Sequence, residues 1–355
     1  MKYYLKCICC SSEYASSYNR QICSKCNGIL EVFYEGKFSD VRAKGTDFWA
    51  YEKFLPKCQY VHFKIGGTGL IKSKESNNLF LKLETENPTK SFKDRGTVIE
   101  IGKALEYKYK EVVCASTGNM AYSVAHYASL SGIKATVFIS DDANPDKIKL
   151  ISGVEGTEIL PVKGDFVMAQ QKAMEYTKRM NGEAFLVGDY CYRKEGQKTL
   201  AYELADQMQD MTHVIIPVGN ATLISAVFKA FKELQTTKKL KRLPKIIAVQ
   251  AKDCSPLVKA FNSSQRIEYQ MPKTKADAIA VGFPGYGEQA MQALRETKGS
   301  AVTVTDSEMQ KEQKSFNNTY GRVAELAGVA SMAAYRKIKF SESDKVVAVI
   351  SGGNV

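Results

Sequence analysis

Apolar positions recur along the chain in two rhythms. "NLFLKLE" (78–84) places them at every second residue, as a strand does. "EVVCAS" (111–116), "KATVFIS" (134–140), "EAFLVG" (183–188), "THVIIPVG" (212–219), "KIIAVQA" (245–251) and "DKVVAVISGG" (344–353) are short apolar runs, the pattern of strands buried on both faces. Between them, "KDRGTVIEIGKALEYK", "NMAYSVAHYASLSG", "AQQKAMEYTKRMNG", "EGQKTLAYELADQM" and "LISAVFKAF" carry apolar residues at helical spacing. Strands alternating with helices predict an α/β fold with largely parallel sheets.

The first 26 residues break that rhythm. "CICC" and "CSKC" place Cys7, Cys10, Cys23 and Cys26 as two C-x2-C knuckles, a spacing that suits tetrahedral zinc held by four thiolates. "GILEVFY" then reads as a strand, so residues 1–35 are expected to form a zinc-ribbon-like segment with structural zinc. Cys9 is a spare thiol beside Cys10, which leaves the fourth ligand open between them. The bland alternative is four small apolar residues that pair by chance. The other cysteines are scattered, as expected in a reducing compartment.

Composition narrows the class. With 355 residues, 44% of them hydrophobic, the chain can bury a large core and form two domains. No apolar run reaches the length of a membrane span, and no secretory core opens the chain, so a cytoplasmic location is expected. The net charge of +12 suits an anionic partner, whether a nucleic acid or an anionic substrate. The basic residues are mostly dispersed, and the one dense cluster, "KKLKRLPK" (238–245), reads as a solvated helix end before a strand. Three histidines, His62, His126 and His213, leave little material for a Ser-His-Asp triad or a histidine metal site.

The candidate chemistry sits in "ENPTKSFKDRG" (86–96). Pro88 enforces extended or turned backbone, and Ser91 is expected to cap the helix that follows. Lys93 would then stand at the positive end of a helix, which disfavours its ammonium and suits a neutral, nucleophilic amine. Three glycine-rich strand ends accompany it: Ser116-Thr117-Gly118-Asn119, Gly219-Asn220-Ala221-Thr222 and the "ISGGN" that starts at Ile350. Loops of this kind at strand ends bind anions through backbone N–H groups. A lysine with several anion nests fits pyridoxal phosphate, which needs an amine for its aldehyde and donors for its phosphate. A nicotinamide site fits less well, because no G-x-G-x-x-G follows a strand.

These motifs together resemble the threonine synthase branch of the fold-type-II pyridoxal-phosphate enzymes over nearly the whole chain. "NPTKSFKDRG" is similar to the lysine motif of that family, with Lys90 where a glycine is usual; "STGN", "RKEGQKT" (193–199) and "PVGNA" resemble its substrate-carboxylate, arginine and phosphate loops. The resemblance implies two open, mainly parallel-sheet domains: 36–95 with 190–355 as the large cofactor-binding domain, and 96–189 as the small substrate-binding domain. It implies that Lys93 takes the cofactor aldehyde and then serves as acid and base, with Phe92 positioning the ring. Asn119 would bond the cofactor 3-hydroxyl, Gly219, Asn220, Ala221, Thr222 and Leu223 would surround its phosphate, and Ser351 would face its ring nitrogen. Ser116, Thr117 and Gly118 would hold the substrate carboxylate, with Lys147 and Arg193 as cationic partners of the substrate. A homodimer acting on a small anionic amino acid is implied, without membrane or nucleic acid.

The expected reaction is conversion of O-phosphohomoserine and water to threonine and phosphate. Departures from the family pattern keep alternatives open. "VGDYCY" before Arg193 lacks the Asn and Ser that would help bind a phosphate, and "AELAGVASMAA" with "ISGGN" resembles serine and threonine dehydratases. A dehydratase or ammonia-lyase, a β-replacement synthase of the cysteine or cysteate type, and a zinc-ribbon nucleic-acid-binding protein with a relict site therefore remain as alternatives.

Overall fold

The structure, a computed structural model, describes residues 1–36, 47–116, 118–140, 145–164 and 166–354. In chain order, β1 (Tyr3–Cys7), β2 (Glu13–Ala15), β3 (Leu30–Tyr34), β4 (Leu70–Lys72) and β5 (Leu79–Leu83) precede α1 (Lys93–Glu106). Strict alternation follows: β6 (Glu111–Ala115), α2 (Asn119–Leu130), β7 (Lys134–Ser140), α3 (Pro145–Ser152), β8 (Thr157–Val162), α4 (Phe166–Arg179) and β9 (Ala184–Leu186). The remainder is α5 (Cys191–Gln197), α6 (Thr199–Gln207), β10 (His213–Pro217), α7 (Thr222–Thr236), β11 (Lys245–Ala251), α8 (Pro256–Ser263), α9 (Gly287–Glu296), β12 (Ser300–Val304), α10 (Asp306–Tyr320), α11 (Leu326–Tyr335) and β13 (Val346–Ile350).

The chain divides into two compact units. The first comprises Met1–Lys37, Tyr51–Lys64 and Lys93–Gln197; the second comprises Phe38–Ala50, Ile65–Phe92 and Lys198–Val355. The boundary falls between Phe92 and Lys93, inside the lysine motif.

Within the first unit, a parallel sheet runs β8-β7-β6-β9. Successive crossovers build it outward from β6 to β8, and the chain then returns to place β9 on the other side of β6. That reversal makes a switch point at the carboxyl ends of β6 and β9, where ligands of open α/β sheets gather. Val113, Ala115 and Phe138 of this sheet pack on Ala169 and Ala173 of α4. The N-terminal residues form their own antiparallel sheet, β2-β1-β3.

Within the second unit, a six-stranded sheet runs β12-β11-β10-β13-β5-β4, with only β4 antiparallel to its neighbour. Its switch point lies between β10 and β13. The apolar alternation of "NLFLKLE" is realised in β5: Leu79, Leu81 and Leu83 join Ile215, Val249, Ala348 and Ile350 in one core, closed by Val329 and Met332 of α11.

Two expectations change in detail. Helix α1 starts at Lys93, and Ser91, two residues ahead, pairs its backbone with Gly352 as a β-bridge, so Ser91 is not the helix cap. The segment "EGQKTLAYELADQM" is not one helix: it divides at Lys198 into α5 and α6, and α5 begins upstream at Cys191. Among the described residues no helix is long and apolar enough to cross a membrane.

Candidate active site

In the first unit the site grows from the crossing of α1 and α5. A Cβ at Gly96 would strike the Arg193 side chain, and one at Gly196 would strike the Arg95 carbonyl, so both positions must be glycine for the backbones to meet. This explains the Gly that closes "FKDRG". The crossing carries Arg193 onto the first turn of α1. Its guanidinium is fully buried and donates from Nε to Gly188 O at 2.8 Å, from one terminal nitrogen to Lys93 O at 3.3 Å and Thr97 Oγ1 at 3.0 Å, and from the other to Glu100. Glu100, two turns along α1 from Lys93, also accepts from Gly188 N at 2.8 Å and Gln21 Nε2 at 3.2 Å. Burial pushes its carboxyl up to about 7, while Arg193 and those two N–H donors hold it down.

Lys93 is the first residue of α1, and its Nζ lies 3.4 Å from Asp189 Oδ1, in the loop that follows β9. Burial lowers the lysine's pKa, Arg193 lowers it further, and Asp189 works against both. An amine with a depressed pKa beside a carboxylate can act as nucleophile and then pass protons.

The loop leaving β6, the strand next to β9, carries Ser116, Gly118 and Asn119. Gly118 N donates to Ser116 Oγ at 3.3 Å, Asn119 is buried at the start of α2, and the buried Lys147 Nζ would lie 3.7 Å from a Cβ at Gly118. Thr117 lies outside the described residues.

In the second unit the corresponding loops follow β10 and β13. Gly219 and Asn220 lead to Ala221, which adopts φ +64°, and α7 then starts at Thr222. A left-handed residue directly before a helix turns successive N–H groups toward one point, an anion nest at a helix N-terminus. Asn220 fixes the loop: its Oδ1 accepts from Gly285 N at 2.6 Å and its carbonyl from Tyr286 N at 3.1 Å. Thr222 Oγ1 is buried and has no hydrogen-bond partner. Leu223 is buried in α7. Ser351 is buried just after β13, and its carbonyl accepts from Phe92 N at 3.1 Å. Gly353 N donates to Lys90 O at 2.9 Å, so residues 90–92 and 351–353 zip together antiparallel.

In the N-terminal sheet the four sulfurs of Cys7, Cys10, Cys23 and Cys26 all lie within 4.8 Å of one another. Cys10, not Cys9, completes the cluster.

Three residues of this geometry were not singled out from the sequence: Asp189, Glu100 and Gln21. Glu100 stands seven residues after Lys93, hence on the same helical face, and Asp189 is an acid just past a strand end; both signals were legible. Gln21 had no such signal.

A family model described as "Pyridoxal-phosphate dependent enzyme" matches residues 61–352. The threonine synthase of Methanosarcina acetivorans is 34% identical over 95% of this chain and 87% of its own length. That of Methanocaldococcus jannaschii is 32% identical over 98% and 91%. Among solved structures, maize serine racemase superposes with a TM-score of 0.70 at 23% identity, over 81% of this chain and 88% of that one. The Solanum lycopersicum threonine deaminase isoform 2 superposes with a TM-score of 0.67, also at 23% identity, over 81% and 84%, and these two structures speak for the fold alone. On the matched span and the end-to-end likeness, the chain belongs to the pyridoxal-phosphate-dependent enzyme family.

Proposed function

We propose that this protein is a threonine synthase, converting O-phosphohomoserine and water to threonine and phosphate. The observation that carries the reading is the likeness to proteins of that name along 95% and 98% of the chain. The cofactor fits on a separate observation: Thr222 presents a buried hydroxyl without a partner at the mouth of an anion nest, which a phosphate oxygen would satisfy.

Bound pyridoxal phosphate supplies an electron sink that lets the α and β carbons of an amino acid give up protons. Lys93 offers the amine that holds its aldehyde and afterwards carries protons at Nζ, with Phe92 beside it. Asn119 serves the 3-hydroxyl; Gly219, Asn220, Ala221, Thr222 and Leu223 serve the phosphate. Ser351 would serve the ring nitrogen, where a hydroxyl would leave the ring less fully protonated than a carboxylate and so favour elimination and replacement over transamination. Ser116, Thr117, Gly118 and Lys147 take the substrate's anionic groups. Arg193 takes part at the substrate phosphate only by releasing one of its buried acceptors. Transfer of the α and β protons by one held amine is worth about 10²–10⁴-fold.

Cys7, Cys10, Cys23 and Cys26 would hold structural zinc. Sulfur pairs 3.4–3.6 Å apart suit the roughly 3.8 Å edge of a tetrahedron with Zn–S bonds of about 2.3 Å. In this reading residues 1–35 are a zinc ribbon, 36–95 with 190–355 bind the cofactor, 96–189 bind the substrate, and the enzyme works as a homodimer in the cytoplasm.

A second reading, loss of ammonia from serine or threonine, draws support from one observation. Arg193, the residue expected to meet the substrate phosphate, is fully buried and committed to Glu100. Incubation with O-phosphohomoserine, assaying phosphate and threonine together, tests the proposal. Equal release of both supports it; 2-oxobutyrate and ammonia from threonine, with no phosphate released, replaces it by the second reading. Borohydride treatment with the cofactor, then peptide mass mapping, should place the label on Lys93, and K93A should lose about 10⁴-fold in kcat.

A further inference from the structure

The N-terminal cysteine sheet reaches the lysine through a continuous set of buried side chains. Gln21, 2% exposed, lies between the sheet's two cysteine knuckles. Its Nε2 donates to Leu186 O at 2.8 Å and to Glu100 Oε1 at 3.2 Å, and its Oε1 accepts from Tyr192 N at 3.4 Å. One amide thus touches the end of β9, helix α1 and helix α5. Glu100 in turn holds Gly188 N and the guanidinium of Arg193, and Arg193 holds Gly188 O and Lys93 O. Both residues of the amine–carboxylate pair are therefore tied to Arg193, Lys93 through its own carbonyl and Asp189 through the neighbouring Gly188, whose N–H Glu100 also holds.

The grip on α5 is doubled from β3. The buried Lys194 donates to Glu31 Oε1 at 2.6 Å, and Glu195 accepts from the Tyr34 hydroxyl. Arg193, Lys194 and Glu195 are consecutive, and all three are held directly or at one remove by residues of the cysteine sheet. A sheet serving only as a cap would not need to aim charged and amide groups at the one helix that carries the arginine.

We propose that the cysteine sheet is a positioning element for the catalytic amine, with Gln21 as its key residue: Gln21 holds the Glu100–Arg193 pair, and that pair fixes the distance and direction between Lys93 and Asp189. This rests on the reading of Lys93 as the cofactor lysine. The direction of the electrostatics agrees. The N–H of Gln21 is among the groups that keep Glu100 ionised against its burial; the charged or titratable groups facing Glu100 are Arg193, Asp189, Lys93, Cys114 and Tyr190. Without Gln21, Glu100 takes up a proton at higher pH and lets Arg193 go.

The test compares Q21M, which keeps length and removes both hydrogen-bonding ends, with Y34F, which removes one hydroxyl, and with E13Q at the exposed Lys6–Glu13 pair as control. Amide hydrogen exchange on the cofactor-free protein is read at Gly188, which bonds Glu100 and not Gln21. With cofactor, the pH midpoint of its absorbance, kcat and KM are read. Q21M is expected to speed exchange at Gly188 about tenfold, shift the absorbance midpoint and lower kcat about tenfold with KM within about twofold. Y34F should show the same changes in smaller measure, and E13Q none. Wild-type exchange at Gly188 together with a wild-type midpoint in Q21M overturns the proposal. If Q21M does not fold, an unchanged midpoint and exchange in Y34F overturns it instead. A wild type whose borohydride label misses Lys93 defeats the underlying reading, an outcome separate from either of these.

Discussion

The two switch points handle charge in opposite ways. In the first unit, the carboxyl ends of β6 and β9 are served by whole charges: Lys93 against Asp189 and Arg193 against Glu100. In the second, the carboxyl ends of β10 and β13 offer dipoles: an N–H nest around Ala221, the hydroxyl of Thr222 and the polar residue Ser351. On the proposed reading, the difference follows from the work each end would do. A permanent phosphate needs fixed partial charges that cost little to keep in place. An amine that takes and gives protons needs formal charges nearby, which tune its pKa and absorb the change. Formal charges out of water must be paired, so the first site is tied into its core, whereas the second can leave a hydroxyl waiting.

The largest break of this contrast is R193M. Removing the arginine leaves Glu100 buried without its counter-charge, and denaturant unfolding should show a loss of about 3–5 kcal/mol. The mirror experiment at the other site, T222V, should go the opposite way, because it deletes a buried hydroxyl with no partner: cofactor-free protein is expected to gain about 1 kcal/mol, while affinity for the cofactor falls about 10-fold or more.

A pH series sharpens the same contrast. Glu100 has its carboxyl raised from an ordinary 4.5 to about 7, so between those values the folded state holds a proton that the unfolded state has released. Stability from this group is therefore greatest below about 4.5 and is lost as pH rises to about 7, a change of up to about 3 kcal/mol. Wild type measured against E100Q should be relatively more stable at pH 5 than at pH 8. Activity should run the other way, falling as pH drops through about 7, because protonated Glu100 no longer holds Arg193. No such opposed pair of profiles is expected from variants of the Ala221 loop.

The smallest effect is K90G. Lys90 adopts φ +54°, a left-handed conformation that glycine reaches without penalty. The substitution should stabilise by about 0.5–1 kcal/mol and leave turnover unchanged, as thermal unfolding and a rate assay would show.

Much of the molecule is legible in its sequence. The period-two and period-3.6 patterns placed β5 to β7, β10 and β11 within a residue or two and β13 within three, since the two periodicities follow from backbone geometry and the burial of one face. The glycine-rich loops landed at strand ends for the same reason. What misled was local chemistry read without its neighbours: Ser91 is a sound cap residue, yet its backbone is taken by Gly352. Lys82, a charged residue in β5 that no local pattern singles out, is fully buried against Glu203 at 2.8 Å.

The chain's own letters determined that there would be parallel sheets, a lysine at a helix start, anion nests at strand ends and two cysteine knuckles, because each depends on spacing over a few residues. They could not say that Gln21 would meet Glu100, that Arg193 would turn inward, or that Asp189 would stand beside Lys93. Those contacts join residues 79 to 96 positions apart. Only packing, here the glycine-on-backbone crossing of α1 and α5, decides which distant charges share a dry space and must answer one another.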